Sequence, residues 1–181
     1  AIKTNESGDR EFYTKSDKPQ IQEKSIIVLP FENISPDPDQ EYFSDGLTEE
    51  VITDLSYIDD LLVISRSSAM TFKGTRNTVR EIADKVNVRY VLEGSVRKAG
   101  NNLRIIAQLI DALKGHHLWA ERYDRELKDL FELQDDITKK IAVSINVELY
   151  GRETIQVFSK STENLEAWKN FIKGGELVVK N

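Results

Sequence analysis

Cysteine is absent from all 181 residues. Disulfides, thiolate metal sites and thiol nucleophiles are therefore excluded. The compartment stays open, because a reducing cytoplasm and a disulfide-free envelope protein both fit. Long apolar runs are missing as well: none approaches the ~20 residues of a membrane-spanning helix, and no signal peptide opens the chain. Basic residues are in deficit. A net charge of -6, with no Lys/Arg-rich block, argues against a nucleic-acid binder, whose affinity comes largely from neutralising phosphates. There is no G-x-S-x-G elbow and no glycine-rich phosphate loop, so an enzyme reading has little to stand on. Methionine occurs once, at Met70, and the chain opens at Ala1. The expectation is a piece of a longer protein.

With 39% hydrophobic residues, a chain of this length can bury one core and carry an appendage. Residues 1–24 are polar without sustained period and read as a flexible linker; Phe12 and Tyr13 there are ordinary exposed aromatics. Ser25 to Phe31, `SIIVLPF`, is apolar on both faces, as is `LLVIS`, Leu61 to Ser65. Strands of that kind belong inside a sheet with helices on both sides. Between them Phe43, Leu47, Val51 and Leu55 recur every fourth residue, with Ile52 and Ile58 broadening the stripe, which makes one face of an amphipathic helix. Strand, helix, strand at this spacing predicts two neighbouring parallel strands and a right-handed crossover.

A second helix is expected from Thr78, where Thr78 and Glu81 have the spacing of a capping box. Then the period changes to two. Tyr90, Leu92, Gly94 and Val96 alternate, `KAGNN` (Lys98 to Asn102) signals a hairpin, and Leu103, Ile105, Ala107 and Leu109 alternate in turn. `KGHH` turns the chain into `LWAERY`, Leu118 to Tyr123. Leu127 to Leu149 returns to helical period, with Leu130, Ile137, Ile141, Ile145 and Leu149 as its stripe. A connector follows, then a weaker helix, Thr162 to Asn181, with Leu165, Trp168 and Ile172. The fold class expected is α/β: a mixed five-stranded sheet, a βαβ unit followed by αβββα, flanked by helices.

Few residues suggest chemistry. `DPDQEY`, Asp37 to Tyr42, superficially resembles a calcium loop, but Tyr42 stands where an EF-hand needs Gly and Thr48 where it needs Glu. Helix capping explains it better: Asp37 as cap, Pro38 at the first helical position, and three carboxylates near the positive end of the dipole. His116 and His117 are the only histidines. As neighbours on a strand they point to opposite faces and share no metal. Trp119 and Tyr123 share a face with Glu121, as core or as contact surface for another domain. One candidate ligand site remains. Ligands of open α/β sheets gather at the carboxyl ends of parallel strands. Those ends carry Glu32 and Asn33 from the first strand and Arg66, Ser67 and Ser68 from the second. Together they could hold a carboxylate or phosphate; the plainer reading pairs Arg66 with Glu32 or with an acid of the first helix.

`SIIVLPFENISPDPDQEYFSDGLTEEVITDLS` and `RYVLEGSVRKAGNNLRIIAQLIDALKGHHLWAERYDRELKDLFELQDDI` resemble the TolB-like module, similar to the N-terminal α/β domain of TolB and not to its propeller. The resemblance covers residues 25–149. `NLEAWKNFIKGGELVVKN` looks like the start of a tetratricopeptide-repeat array. The resemblance implies domains at 1–24 (linker), 25–150 (TolB-like) and 151–181 (connector and first repeat helix). It also implies an upstream class III adenylate/guanylate cyclase domain, or a DNA-binding domain as in CadC-type regulators, often with one spanning helix between. No catalytic residue carries over, and no cofactor or metal is implied. The expected role is a non-catalytic sensor or interaction module of a bacterial signalling protein. Its rivals are a structural spacer or dimerisation domain, and a small-molecule enzyme at the strand-end crevice. Expected partners are a protein or small ligand, the attached signalling domain and the repeats, and a second copy as a homodimer; nucleic acid and membrane insertion are not expected. A spanning helix before Ala1 would favour the extracytoplasmic (periplasmic) side over the cytoplasm.

Overall fold

The computed structural model describes residues 2–4, 10–12 and 21–150. Inside the stretch expected as a linker, β1 (Ile2–Thr4) and β2 (Arg10–Phe12) pair as an antiparallel ribbon. The connector and repeat helix expected over 151–181 lie outside the described residues.

The first buried strand, β3, runs Gln22–Val28, with Ile26, Ile27 and Val28 all fully buried. It starts three positions earlier than the apolar run and stops short of Phe31. Pro30 brings no N–H to a ladder, and the chain arches outward over Leu29–Phe31 before resuming as β4 (Glu32–Asn33). This short strand makes the sheet six-stranded where the apolar pattern indicates five. Its two residues pair with Ser95 and Val96, although Glu-Asn has no strand signature.

A 3-10 turn, Pro38–Gln40, precedes helix α1 (Glu41–Ser56). Pro38 opens the turn as its fixed φ suggests, but the α-helix begins three residues later, and Gln40 at its N-cap makes no side-chain cap bond. Leu47, Val51, Ile52 and Leu55 are buried, the expected stripe. Strand β5 spans only Leu62–Val63, parallel to β3 with Ser25 opposite Leu62. Ser65, expected in that strand, instead caps an unanticipated five-residue helix, α2 (Arg66–Met70), accepting from the Ser68 N–H. Helix α3 (Val79–Val86) shows both bonds of the Thr78–Glu81 capping box and stops at Asn87, whose φ of 57° is left-handed.

Strands β6 (Val88–Ala99), β7 (Asn102–Asp111) and β8 (His116–Glu126) form the antiparallel meander. A 3-10 turn at Leu127–Asp129 then leads into α4 (Leu130–Tyr150). The order across the sheet is β5-β3-β6-β7-β8, with β4 beside β6. β5 and β6 flank β3 on opposite sides, so the two crossovers run in opposite directions. Right-handed connections then place α1 and α3 on opposite faces. Register agrees. Leu109, Ala107 and Ile105 lie opposite Trp119, Glu121 and Tyr123 on the face that α4 covers. Glu93, Ser95, Ile106 and Gln108 occupy the other face, near α3.

Candidate functional site

A cleft of about 820 Å³ opens beside the carboxyl end of β3. Its rim is the arch Leu29–Phe31 and β4. One wall is the face of β6 and β7 that presents Glu93, Ser95, Ile106 and Gln108; the other is the loop from α2 to α3, with Phe72, Lys73, Thr75 and Asn77. Three bonds fix the rim: the Leu29 N–H donates to Leu92 O at 2.8 Å, Ile34 N–H to Val96 O at 2.9 Å, and Phe31 N–H to the buried Thr48 hydroxyl at 3.0 Å. The Thr48 hydroxyl donates in turn to Ser44 O at 2.8 Å, so helix α1 holds the middle of the arch. The Phe31 ring lies against Gly94, where an added Cβ would come within 2.5 Å of the ring and 2.3 Å of the Ile106 carbonyl. Only glycine fits that position in β6.

Lys73 is the cation of the cleft, and it is already engaged, 2.7 Å from Glu41 and 2.5 Å from Asp45. Burial pulls its pKa down, but the two carboxylates more than offset that and hold the ammonium charged. Glu32 and Glu93 add two further carboxylates beside Asn33, Asn77 and Gln108. Such a lining suits a cationic or hydrogen-bond-donating ligand rather than an anion.

The five residues singled out from the sequence are divided by the fold. Glu32 and Asn33 border the cleft. Arg66 pairs with Glu49 of α1 at 3.3 Å, on the surface, and Ser67 and Ser68 hydrogen-bond with the Ser65 hydroxyl at the cap of α2; none of the three lines the cleft. β3 and β5 are neighbours as expected, but β5 is so short that the chain turns into α2 before those side chains reach the opening. His116 and His117 begin β8 and are exposed, and no three His, Asp or Glu converge for a metal among the described residues.

Two charged clusters were not anticipated. At the opposite end of the sheet Arg89, its side chain 9% exposed, donates from Nε (3.1 Å) and from its second terminal nitrogen (2.9 Å) to Oδ2 of the fully buried Asp111. Asp111 Oδ1 accepts the N–H groups of Leu113 and Lys114, each at 3.0 Å. Glu23 also receives Arg89, and Lys114 pairs with Glu148. Beside them burial pushes the Tyr90 phenol well up. On β8, the Trp119 indole N–H donates to Glu121 at 3.1 Å and Lys140 of α4 pairs with the same carboxylate. Lys140 lies 5.6 Å from the Tyr123 ring centroid. The hydrogen bond from Lys140 holds Glu121 below the usual carboxylate range. Trp119 and Tyr123 are thus packed beneath α4, on the core side of the strand.

A mixed sheet with α1 and α4 on one face and α3 on the other defines a small α/β module, and comparison places it. TolB from Acinetobacter baumannii shares the fold at a TM-score of 0.50 and 19% identity, over 75% of this chain and 30% of that one. The LpoB C-terminal domain from Salmonella enterica aligns at a TM-score of 0.47 and 19% identity, over 62% and 88% of the two chains. Residues 22–140 match the family described as HilA/YgeH-like transcriptional regulator, second domain, and the chain belongs to that family. A protein of Rhizobium meliloti (strain 1021) named "Putative adenylate cyclase 3" is 46% identical over 162 residues, 89% of this chain. The chain spans 28% of that relative's length.

Proposed function

We propose that residues 25–150 form a non-catalytic regulatory module of a bacterial signalling protein, binding a cationic small ligand or a basic protein segment in the strand-end cleft. The bound state is passed to an attached output domain, an adenylate/guanylate cyclase or a DNA-binding domain. The carrying observation is the cleft itself: a fixed rim, two carboxylates beside three amides, and a lysine whose charge is already paired with Glu41 and Asp45. Support for the output domain comes from the two relationships, one to a regulator family and one to a protein whose name refers to cyclase activity. Transmission requires that the ligand bind one arrangement of the intact protein better than another. Glu32, Asn33 and Glu93 are the contact residues in this reading, and Arg66, Ser67 and Ser68 are bystanders. We further place residues 151–181 at the start of a helical repeat array, and the module on the extracytoplasmic side of a membrane.

The test uses the intact signalling protein. Glu32→Ala with Glu93→Ala should alter the response of its output, and Arg66→Ala should not. If neither the double variant nor removal of residues 25–149 changes output or response, the reading fails. One cysteine introduced on the module's surface, in an intact protein freed of any cysteines outside residues 1–181, and a membrane-impermeant thiol reagent decide the side; residues 1–181 contain none. The specific rival is a spacer that binds nothing; it predicts no shift in thermal midpoint with lysine, arginine or short basic peptides as probes.

A further inference from the structure

The two margins of the sheet differ. β5 ends one side with two residues, while β8 ends the other with eleven. Among the described residues nothing pairs with the outer side of β8. Natural edges of this length are commonly blunted by charged side chains, proline or bulges. β8 has no proline, and its one irregularity lies near Leu118, leaving Trp119–Glu126 regular; its charges are of both signs, so they bar an uncharged strand and not one that carries the complementary order.

Backbone direction follows from a single bond. Leu127 N–H donates to Asn101 O at 2.8 Å, continuing the register in which Glu126 lies opposite Asn102. Hydrogen-bonded pairs alternate along an antiparallel ladder. Arg125, Tyr123 and Glu121 therefore turn their backbone groups toward β7. Ala120, Arg122, Asp124 and Glu126 turn theirs outward; the Asp124 carbonyl accepts the Arg125 guanidinium at 3.0 Å, an exposed bond that an incoming strand would displace.

The side chains on this edge have a symmetry of their own. In `ERYDR`, Glu121 to Arg125, residues equidistant from Tyr123 carry opposite charges: Arg122 against Asp124, Glu121 against Arg125. Arg122 and Asp124 are well exposed, at 63% and 50%; within the chain they pair with each other at 3.4 Å, and Asp124 pairs with Arg104 at 2.6 Å, so a partner copy would share or exchange these exposed bonds. We infer that a second copy of this chain pairs antiparallel with the free edge of β8, its two-fold axis passing at Tyr123. Arg122 of each copy then faces Asp124 of the other, Glu121 faces Arg125, and the outward backbone groups of residues 122 and 124 bond reciprocally. The contact is isologous and closed, and it joins two six-stranded sheets into one. Opposite charges directly across strands stabilise a pairing, and like charges disfavour it. The neighbouring registers with the same backbone bonding lie two residues away, and they set Arg122 against Arg122 or Asp124 against Asp124, so charge selects the register. The inference does not rest on the cleft reading, since no residue of β8 lines the cleft.

The whole chain tests it by sedimentation velocity across a concentration series. The wild type should shift with concentration toward twice its 20.7 kDa. Arg122→Asp alone, or Asp124→Arg alone, sets like charges across the axis and should weaken dimerisation about tenfold or more. An equimolar mixture of those two variants should recover the dimer, because each Asp then meets an Arg again. The double variant Arg122→Asp/Asp124→Arg should recover it within one chain. Recovery cannot come from a misfolded variant, so it separates pairing from damage to the fold. A wild type that stays monomeric throughout overturns the inference. So does a dimer indifferent to the single substitutions, or a mixture that remains monomeric.

Discussion

The ionic groups of this protein are decided residue by residue. Asp111 has no solvent exposure and satisfies both oxygens internally, with Arg89 on one and two backbone N–H groups on the other. Asp111→Ala leaves Arg89 with Glu23 and Glu148 alone and takes the acceptor from two backbone N–H groups. It is expected to cost about 3 kcal/mol, read by urea denaturation. Gly94→Ala should cost about 1–3 kcal/mol by overpacking, because the new methyl meets both the Phe31 ring and a backbone carbonyl that cannot yield. A thermal midpoint equal to wild type would contradict the close approach. Glu121 offers a pH test. Its pKa is depressed first by the Lys140 hydrogen bond, so its contribution to stability is complete above the ordinary carboxylate range and is lost as pH falls through the lowered value. In a chain carrying Trp168→Phe, Trp119 emission should report that titration, with its midpoint below the ordinary range. Lys140→Met should move the midpoint upward. None of these three sites could be paired from sequence alone: Arg89 and Asp111 are 22 positions apart, and only the β6–β7 register brings them together.

Elements with an amphipathic period were legible, and those held by tertiary bonds were not. The stripe of α1, the alternation through β6 and β7, and the Thr78 cap all follow local patterns that the structure keeps. Thr78→Ala removes the N-cap acceptor and should cost about 1 kcal/mol, measured by chemical denaturation, and Glu81→Gln should lose part of the same box. Glu81 is held below the usual carboxylate range by the Thr78 backbone and side chain. Its share is therefore present above that range and fades as pH falls through the lowered value, so Glu81→Gln should flatten the acid limb of the stability curve. By contrast, β4 has two polar residues and exists because β6 continues beyond β3 and offers unpaired backbone groups. Helix α2 begins where the apolar pattern indicates strand, since three serines supply their own cap and side-chain bonds. Propensity gave no hint of either; the partner strand and the hydroxyl cluster decide them.

For the whole molecule, composition and order of elements conveyed the class and most of the sheet order, while the cleft escaped. Two of its three sides, the α2–α3 loop and the far face of β7, come from segments with no functional signature of their own. Of the residues singled out at the strand ends, Glu32 and Asn33 border the cleft, and the brevity of β5 keeps residues 66–68 away from it. The core extends from β3 to α4, and Ile137, Ile141 and Ile145 close it against α1. Residues 21–150 expressed alone should therefore melt in one cooperative transition by circular dichroism. A fragment that lacks a transition would place part of the core's support in the remaining segments.

The arch at Leu29–Phe31 is tied to β6 before and after the proline and to a helix hydroxyl between. A visitor to the opening thus meets a lip that is already set, and little ordering entropy remains to be lost there when it docks. Discrimination at that doorway would then come from shape and fixed charge, and molecules differing by a single methyl at the lip should be told apart there.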